Sequence, residues 1–133
     1  KEDLFFVSNC DTVVSEDYNN ILNFHSKNKN DITIVASKKT IQFPYGVCQL
    51  NDKNKFTGFK EKPNYNFLFN TGLYLINRKE LRLLKKNQKL DMDDFILKLK
   101  KKKSKIGVYQ INFNQWQDLG SWESYNNFIK INK

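Results

Sequence analysis

The sequence predicts an α/β domain with a mixed sheet, on three observations. Strand-like and helix-like segments alternate early in the chain, and a polar hairpin interrupts that alternation in the middle. At 133 residues the chain is long enough for one core and one domain, spanning residues 1–133. Eleven Phe, six Tyr and two Trp supply enough apolar area to fill such a core.

Residues 4–8 form a short apolar run that ends at Asn9, Cys10 and Asp11, the way a buried strand delivers a carboxylate to a sheet edge. A helix follows, with Ser15 as the expected N-cap and Glu16 and Asp17 suited to the positive end of its dipole. Tyr18, Ile21, Leu22 and His25 recur at helical spacing, and Lys27 and Lys29 close the last turn. Residues 31–37 are rich in β-branched side chains and predict the second strand. Residues 45–50 and 55–60 read as a hairpin around the polar turn 51–54.

Residues 70–76 predict another strand. Asn77 with Glu80 has the capping-box pattern for a short helix through Leu84. A stronger helix begins near Asp91, where Met92, Phe95, Ile96 and Leu99 make an apolar stripe. Its run of lysines, 100–103, suits the negative end of a helix better than a binding patch. Residues 106–113 form a further strand, 116–120 a tight loop, and Ser121 caps a last helix containing Tyr125, Phe128 and Ile129.

The net charge of +9 raises the question of a nucleic-acid partner, but only Arg78 and Arg82 among the 23 basic residues are arginine. Lysine, asparagine, isoleucine and phenylalanine all derive from A/T-rich codons, and the arginine fork that reads phosphate and guanine is scarce. No nucleic-acid partner is therefore expected. No apolar run is long enough to span a membrane. Cys10 and Cys48 sit in strand-like segments without metal-ligand spacing, which suggests free thiols in a reducing cytoplasm.

Two features carry chemistry. Asp11 and Asp118 both stand in small polar loops at strand ends, where α/β sheets place ligands. Together they could hold Mg²⁺ along with substrate phosphates, although each alone is more simply a turn or capping residue. The second feature is Glu61-Lys62-Pro63 followed by Asn70-Thr71-Gly72. There Lys62 could meet a phosphate, and Glu61 and Asn70 could hold sugar hydroxyls. His25, the one histidine, lies on the apolar side of its helix and reads as a packed imidazole. No nucleophile elbow, zinc pattern or phosphate-binding glycine loop is present.

The order of these segments resembles the sugar-nucleotide pyrophosphorylase (sugar-1-phosphate nucleotidyltransferase) family. The series is Phe6-Val7-Ser8-Asn9-Cys10-Asp11, Phe24-His25, Asp31-Ile32-Thr33 and Pro44-Tyr45-Gly46-Val47, then Glu61-Lys62-Pro63, Asn70-Thr71-Gly72-Leu73-Tyr74 and Trp116-Gln117-Asp118-Leu119-Gly120-Ser121. Within that family the chain looks most like mannose-1-phosphate guanylyltransferase-like members. The resemblance implies a Rossmann-like fold and the reaction of an NTP with a sugar 1-phosphate to give NDP-sugar and pyrophosphate. It further implies that Asp11 and Asp118 ligate Mg²⁺, that Lys62 contacts the sugar phosphate, and that Gly46, Glu61, Asn70 and Thr71 line the sugar pocket. Cys10 stands where the family usually has glycine.

The resemblance covers the C-terminal, sugar-phosphate side of the family's domain. The Gly-rich, nucleotide-gripping N-terminal part is missing from the sequence. An unpaired sheet edge inviting self-association as a homo-oligomer follows, and residues 1–133 alone are expected to transfer little or nothing. Two other readings stand beside this one: a catalytically silent sugar-phosphate-binding or regulatory module, and a basic nucleic-acid-binding module.

Overall fold

The computed structural model describes residues 3–131. Its elements are β1 (Leu4–Ser8), β2 (Thr12–Val14), α1 (Tyr18–Lys27), β3 (Ile32–Gln42), β4 (Val47–Leu50), β5 (Phe56–Lys60), β6 (Asn64–Asn77), α2 (Met92–Lys101), β7 (Ile106–Asn112), β8 (Trp116–Asp118) and α3 (Trp122–Ile131). Short 3₁₀ segments cover Arg78–Leu83 and Phe113–Gln115. The main sheet runs β1-β6-β3-β7. Strand β6 is antiparallel to both of its neighbours, whereas β3 and β7 are parallel, so the sheet is mixed as the alternation predicts.

Period-two patterning decides which face each strand residue joins. Leu73 and Leu75 point to one side with Val35, Ile111 and Ile21 of α1, and Leu4 and Phe6 pack against them. Tyr74 and Ile76 point to the other side with Ile32, and Phe95 and Leu99 of α2 cover them alongside Phe5 and Val7. A helix on each face thus buries a sheet that is apolar on both sides. His25 lies in the wall of this packing, 2% exposed. Its Nδ1 is 2.8 Å from the Thr33 hydroxyl, and burial holds its imidazole pKa below the ordinary value.

Several local expectations are corrected. The cap of α1 is Asp17, whose carboxylate accepts from the Asn19 amide at 2.9 Å, rather than Ser15. Ser15 instead donates its own amide to the Gln115 carbonyl, because residues 12–14 form strand β2. The Asn77–Glu80 capping box does not form: Asn77 gives its side-chain amide to the Asn30 carbonyl at 2.8 Å, and Glu80 accepts from the Ser104 hydroxyl. The turn is 3₁₀. Cys10 lies in a turn rather than a strand, and both thiols are free and exposed. The loop at 116–118 is a short strand.

Both β3 and β6 run well past the expected 31–37 and 70–76, pairing from Lys38↔Leu68 to Gln42↔Asn64 as a ribbon beyond the buried sheet. The β4–β5 hairpin forms as expected, with the Asn51 side chain accepting from the amides of Lys53 and Lys55.

The feature that shapes the site is an irregularity in the β3–β6 ladder. Pairing passes from Ile34↔Tyr74 to Ala36↔Asn70, leaving 71–73 opposite Val35. Gly72 lies in the bulge with φ +79°, a left-handed backbone that favours glycine. The loosened backbone groups find new partners. The Thr71 hydroxyl donates to the Val35 carbonyl, the Thr12 hydroxyl to the Thr71 carbonyl, each at 2.8 Å, and the Asn9 amide to the Gly72 carbonyl at 3.0 Å. The turn carrying Asp11 is thereby tied to the sheet.

Candidate active site

Asp11 enters on the turn between β1 and β2, and Asp118 is the last residue of β8. These short strands pair antiparallel, Thr12 opposite Asp118, so residues far apart in sequence become neighbours. The Leu119 amide then donates to the Asp11 carbonyl at 2.7 Å, and the Gly120 amide to the Asp118 carboxylate at 2.9 Å. A Cβ built on Gly120 would stand 3.0 Å from Asp118 Oδ1 and 3.1 Å from Asp11 Oδ2. The two carboxylates therefore converge on one point above the Gly120 backbone, and both are exposed to incoming ligand.

The chemistry of that pair suits a hard divalent cation that takes two carboxylate oxygens from protein and the rest of its shell from water and phosphate. Among the described residues no group of three or more His, Cys, Asp or Glu side chains gathers as an all-protein metal cage. An open, two-carboxylate arrangement would leave the remaining coordination positions of such a cation to other ligands. A groove of about 320 Å³ opens directly beside it, lined by Leu119, Gly120, Ser121, Trp122 and Tyr125.

Gly46 and Glu61 also come together. A Cβ on Gly46 would run into the Phe59 ring and stand 2.8 Å from Glu61 Oε2, so the glycine lets both side chains lie close over the backbone. Lys62 follows with φ +41°, a left-handed conformation that costs a non-glycine residue about 1–2 kcal/mol. Its side chain is exposed beside Pro63.

Asn70 is held on two sides: its Oδ1 accepts from the Gly72 amide at 3.1 Å, and its Nδ2 donates to the Tyr74 hydroxyl at 2.7 Å. Thr71 differs from the expectation for a pocket side chain. It is 1% exposed, with its hydroxyl committed to Val35, so it braces the bulge instead of facing a ligand.

Three contributors escaped the sequence reading. Gly120 creates the space into which both carboxylates point. Asn9 packs its side chain against Gly72, 2.7 Å from where a Cβ would stand. Glu16 accepts from Gln115 at 2.7 Å and Asn20 at 2.9 Å, and with Tyr109 at 3.4 Å it ties α1 to the segment leading into β8. The Asn20 bond leads the effects that hold the Glu16 carboxyl below its ordinary pKa. Gly120 and Asn9 left a sequence signal, since they stand inside the motifs around Asp118 and Asp11.

The family described as nucleotidyl transferase matches residues 1–132. This chain belongs to that family. Glucose-1-phosphate adenylyltransferase of Lachnospira eligens is 31% identical over 124 residues, and that of Bacillus subtilis 28% identical over 142. The matches cover 86% and 90% of this chain but only 29% and 35% of those proteins, so the chain spans about a third of their length. Among solved structures, HddC from Yersinia pseudotuberculosis superposes with a TM-score of 0.67 at 19% identity, covering 100% of this chain and 57% of HddC.

A putative glucose-1-phosphate thymidylyltransferase from Bacillus anthracis, solved in complex with a sucrose, gives 0.62 at 19% identity over 94% of this chain and 52% of its own. These likenesses establish the mixed α/β nucleotidyltransferase fold. No helix among the described residues is long and apolar enough to cross a membrane.

Proposed function

We propose that this chain is the sugar-phosphate- and metal-binding part of an enzyme that transfers a nucleotidyl group from an NTP to a sugar 1-phosphate, releasing pyrophosphate. The convergence of Asp11 and Asp118 on Gly120 carries this reading.

In such a transfer an oxygen of the sugar phosphate attacks the α-phosphorus in line, a new P–O bond forms, and the bond to pyrophosphate breaks. Little covalent work falls to the protein, so positioning and opposing charge supply most of the acceleration. The Lys62 ammonium attracts the acceptor phosphate from an exposed turn. Glu61, set against the Gly46 backbone, accepts hydrogen bonds from sugar hydroxyls, and Asn70, held by Gly72 and Tyr74, offers its remaining amide capacity to the same ligand. Asp11 and Asp118 would hold Mg²⁺, which when bound supplies positive charge against that gathering on the phosphoryl oxygens.

For the base, the motif resemblance points to GTP, while the named curated relatives are adenylyltransferases. The test therefore supplies both. In the protein at its natural length, with Mg²⁺, ATP or GTP and a panel of sugar 1-phosphates, pyrophosphate release is expected to require the sugar phosphate. It should fall by about 100-fold or more in Asp11→Asn and Asp118→Asn. No release with any pair, from a folded protein, would overturn the proposal in favour of a silent binding module.

A further inference from the structure

We propose that a groove at the opposite end of β1 from the aspartate pair, lined by Arg78 and Arg82, binds a small phosphorylated anion. The groove has a volume of about 610 Å³ and is lined by Asp3, Arg78, Lys79, Leu81 and Arg82. A smaller one of about 300 Å³ beside it shares Asp3, Arg78 and Lys79 and adds Asn77. These sizes lie in or near the range that holds metabolite-sized ligands.

The residue types make the case. Every other basic residue of the 23 is lysine, yet both arginines stand on one 3₁₀ turn and line one groove. Guanidinium presents a planar fork of donors that matches phosphate oxygens two at a time, which an ammonium cannot do.

The local charges are also divided unequally. Lys79, between the arginines in sequence, is committed to Asp31 and lies 3.9 Å from Glu80. Among the described residues neither arginine side chain has an ion pair or hydrogen-bond partner. Asp3 is the one carboxylate among the described residues of the lining, where it stands with the two unspent guanidinium groups. That surplus fits a compact phosphate ester; Asp3 at the rim opposes a continuous polyanion, and Leu81 offers apolar contact to a carbon skeleton.

The fold separates this groove from the reaction. Asn77 pairs with Leu4 at the start of β1, and the Arg78 amide donates to the Asp3 carbonyl at 2.8 Å, while Asp11 follows the far end of the same strand. A five-residue strand places the two ends roughly 15 Å apart. A ligand at the arginines therefore occupies a second site, and its binding stands or falls independently of nucleotidyl transfer.

The test is calorimetric titration of the full natural-length protein with inorganic phosphate and with glycerol phosphate, at constant ionic strength set with chloride. Wild-type protein is expected to show a binding event that weakens at least about tenfold in Arg78→Gln/Arg82→Gln and persists in Lys62→Ala. The Arg78→Lys/Arg82→Lys protein keeps the charge and loses the fork. It is expected to weaken as well, and it guards against a folding defect in the glutamine variant. Equal binding by wild type and both double variants would overturn the proposal. So would loss of all binding in Lys62→Ala, or the absence of any event beyond the chloride control.

Discussion

Gly120→Ala separates the function of the aspartate pair from the stability of the fold. The added methyl would stand 3.0 Å from Asp118 Oδ1 and 3.1 Å from Asp11 Oδ2, closer than ordinary carbon–oxygen contact. Each carboxylate must retreat by a few tenths of an ångström from the same methyl. Both are exposed, and Gly120 does not use a left-handed backbone, so rotation of two side chains relieves the clash. Folding stability should stay within about 1 kcal/mol of wild type, since alanine also reduces the freedom of the unfolded chain.

The cost of Gly120→Ala appears in metal binding instead. Mg²⁺ demands near-octahedral geometry at about 2.1 Å, and a shifted pair holds it some 10- to 100-fold more weakly, about 1.4–2.7 kcal/mol. The assay is the Mg²⁺ dependence of pyrophosphate release, with urea unfolding as the control. A folded variant whose half-saturating Mg²⁺ matches wild type would refute the idea that these carboxylates share one cation.

Three further outcomes are expected. Gly72→Ala combines a left-handed backbone with a methyl 2.7 Å from the Asn9 amide, so urea unfolding should show a loss of about 2 kcal/mol, and an unchanged midpoint would contradict the bulge geometry. Burial lowers the His25 pKa below 6.5, outweighing the opposing Asn77 hydrogen bond and the Asp31 charge. Its contribution is therefore fully present above pH 6.5 and is lost as pH falls toward the folded-state pKa, by at most about 1.4 kcal/mol per unit. Unfolding midpoints between pH 7.5 and 5.0 should show a slope that His25→Gln flattens. Lys62→Gly relieves a left-handed backbone while deleting the ammonium, so it should preserve or raise stability yet raise the KM for sugar 1-phosphate about tenfold or more; an unchanged KM would remove Lys62 from the site.

Much of the fold was legible because burial leaves a local trace. Residues 73–76 lie between two helix-covered faces, and their unbroken apolar run announces a strand. The stripe of Met92, Phe95, Ile96 and Leu99 announces α2 in the same way. The β3 half of the ribbon left no such trace: it continues through Lys38, Lys39 and Thr40, which pair with Leu68, Phe67 and Asn66 of β6 beyond the helix-covered sheet. The cap of α1 was misplaced for a related reason. Ser15, Glu16 and Asp17 are all acceptable first-turn residues, and the choice among them followed from the Gln115 carbonyl taking the Ser15 amide just past β2.

The candidate site divides along the same line. By itself the sequence determined which residue types stand at the strand ends, and it set Asp11, Glu61, Lys62, Asn70 and Asp118 in an order that resembles a family. Whether two such aspartates meet depends on β2 pairing with β8 across most of the chain, and local propensity carries no record of a long-range ladder. The same tertiary contacts withdrew the Thr71 hydroxyl into the bulge and drew both carboxylates toward Gly120. Residue chemistry is written position by position, but distance between side chains exists only after the backbone has closed on itself.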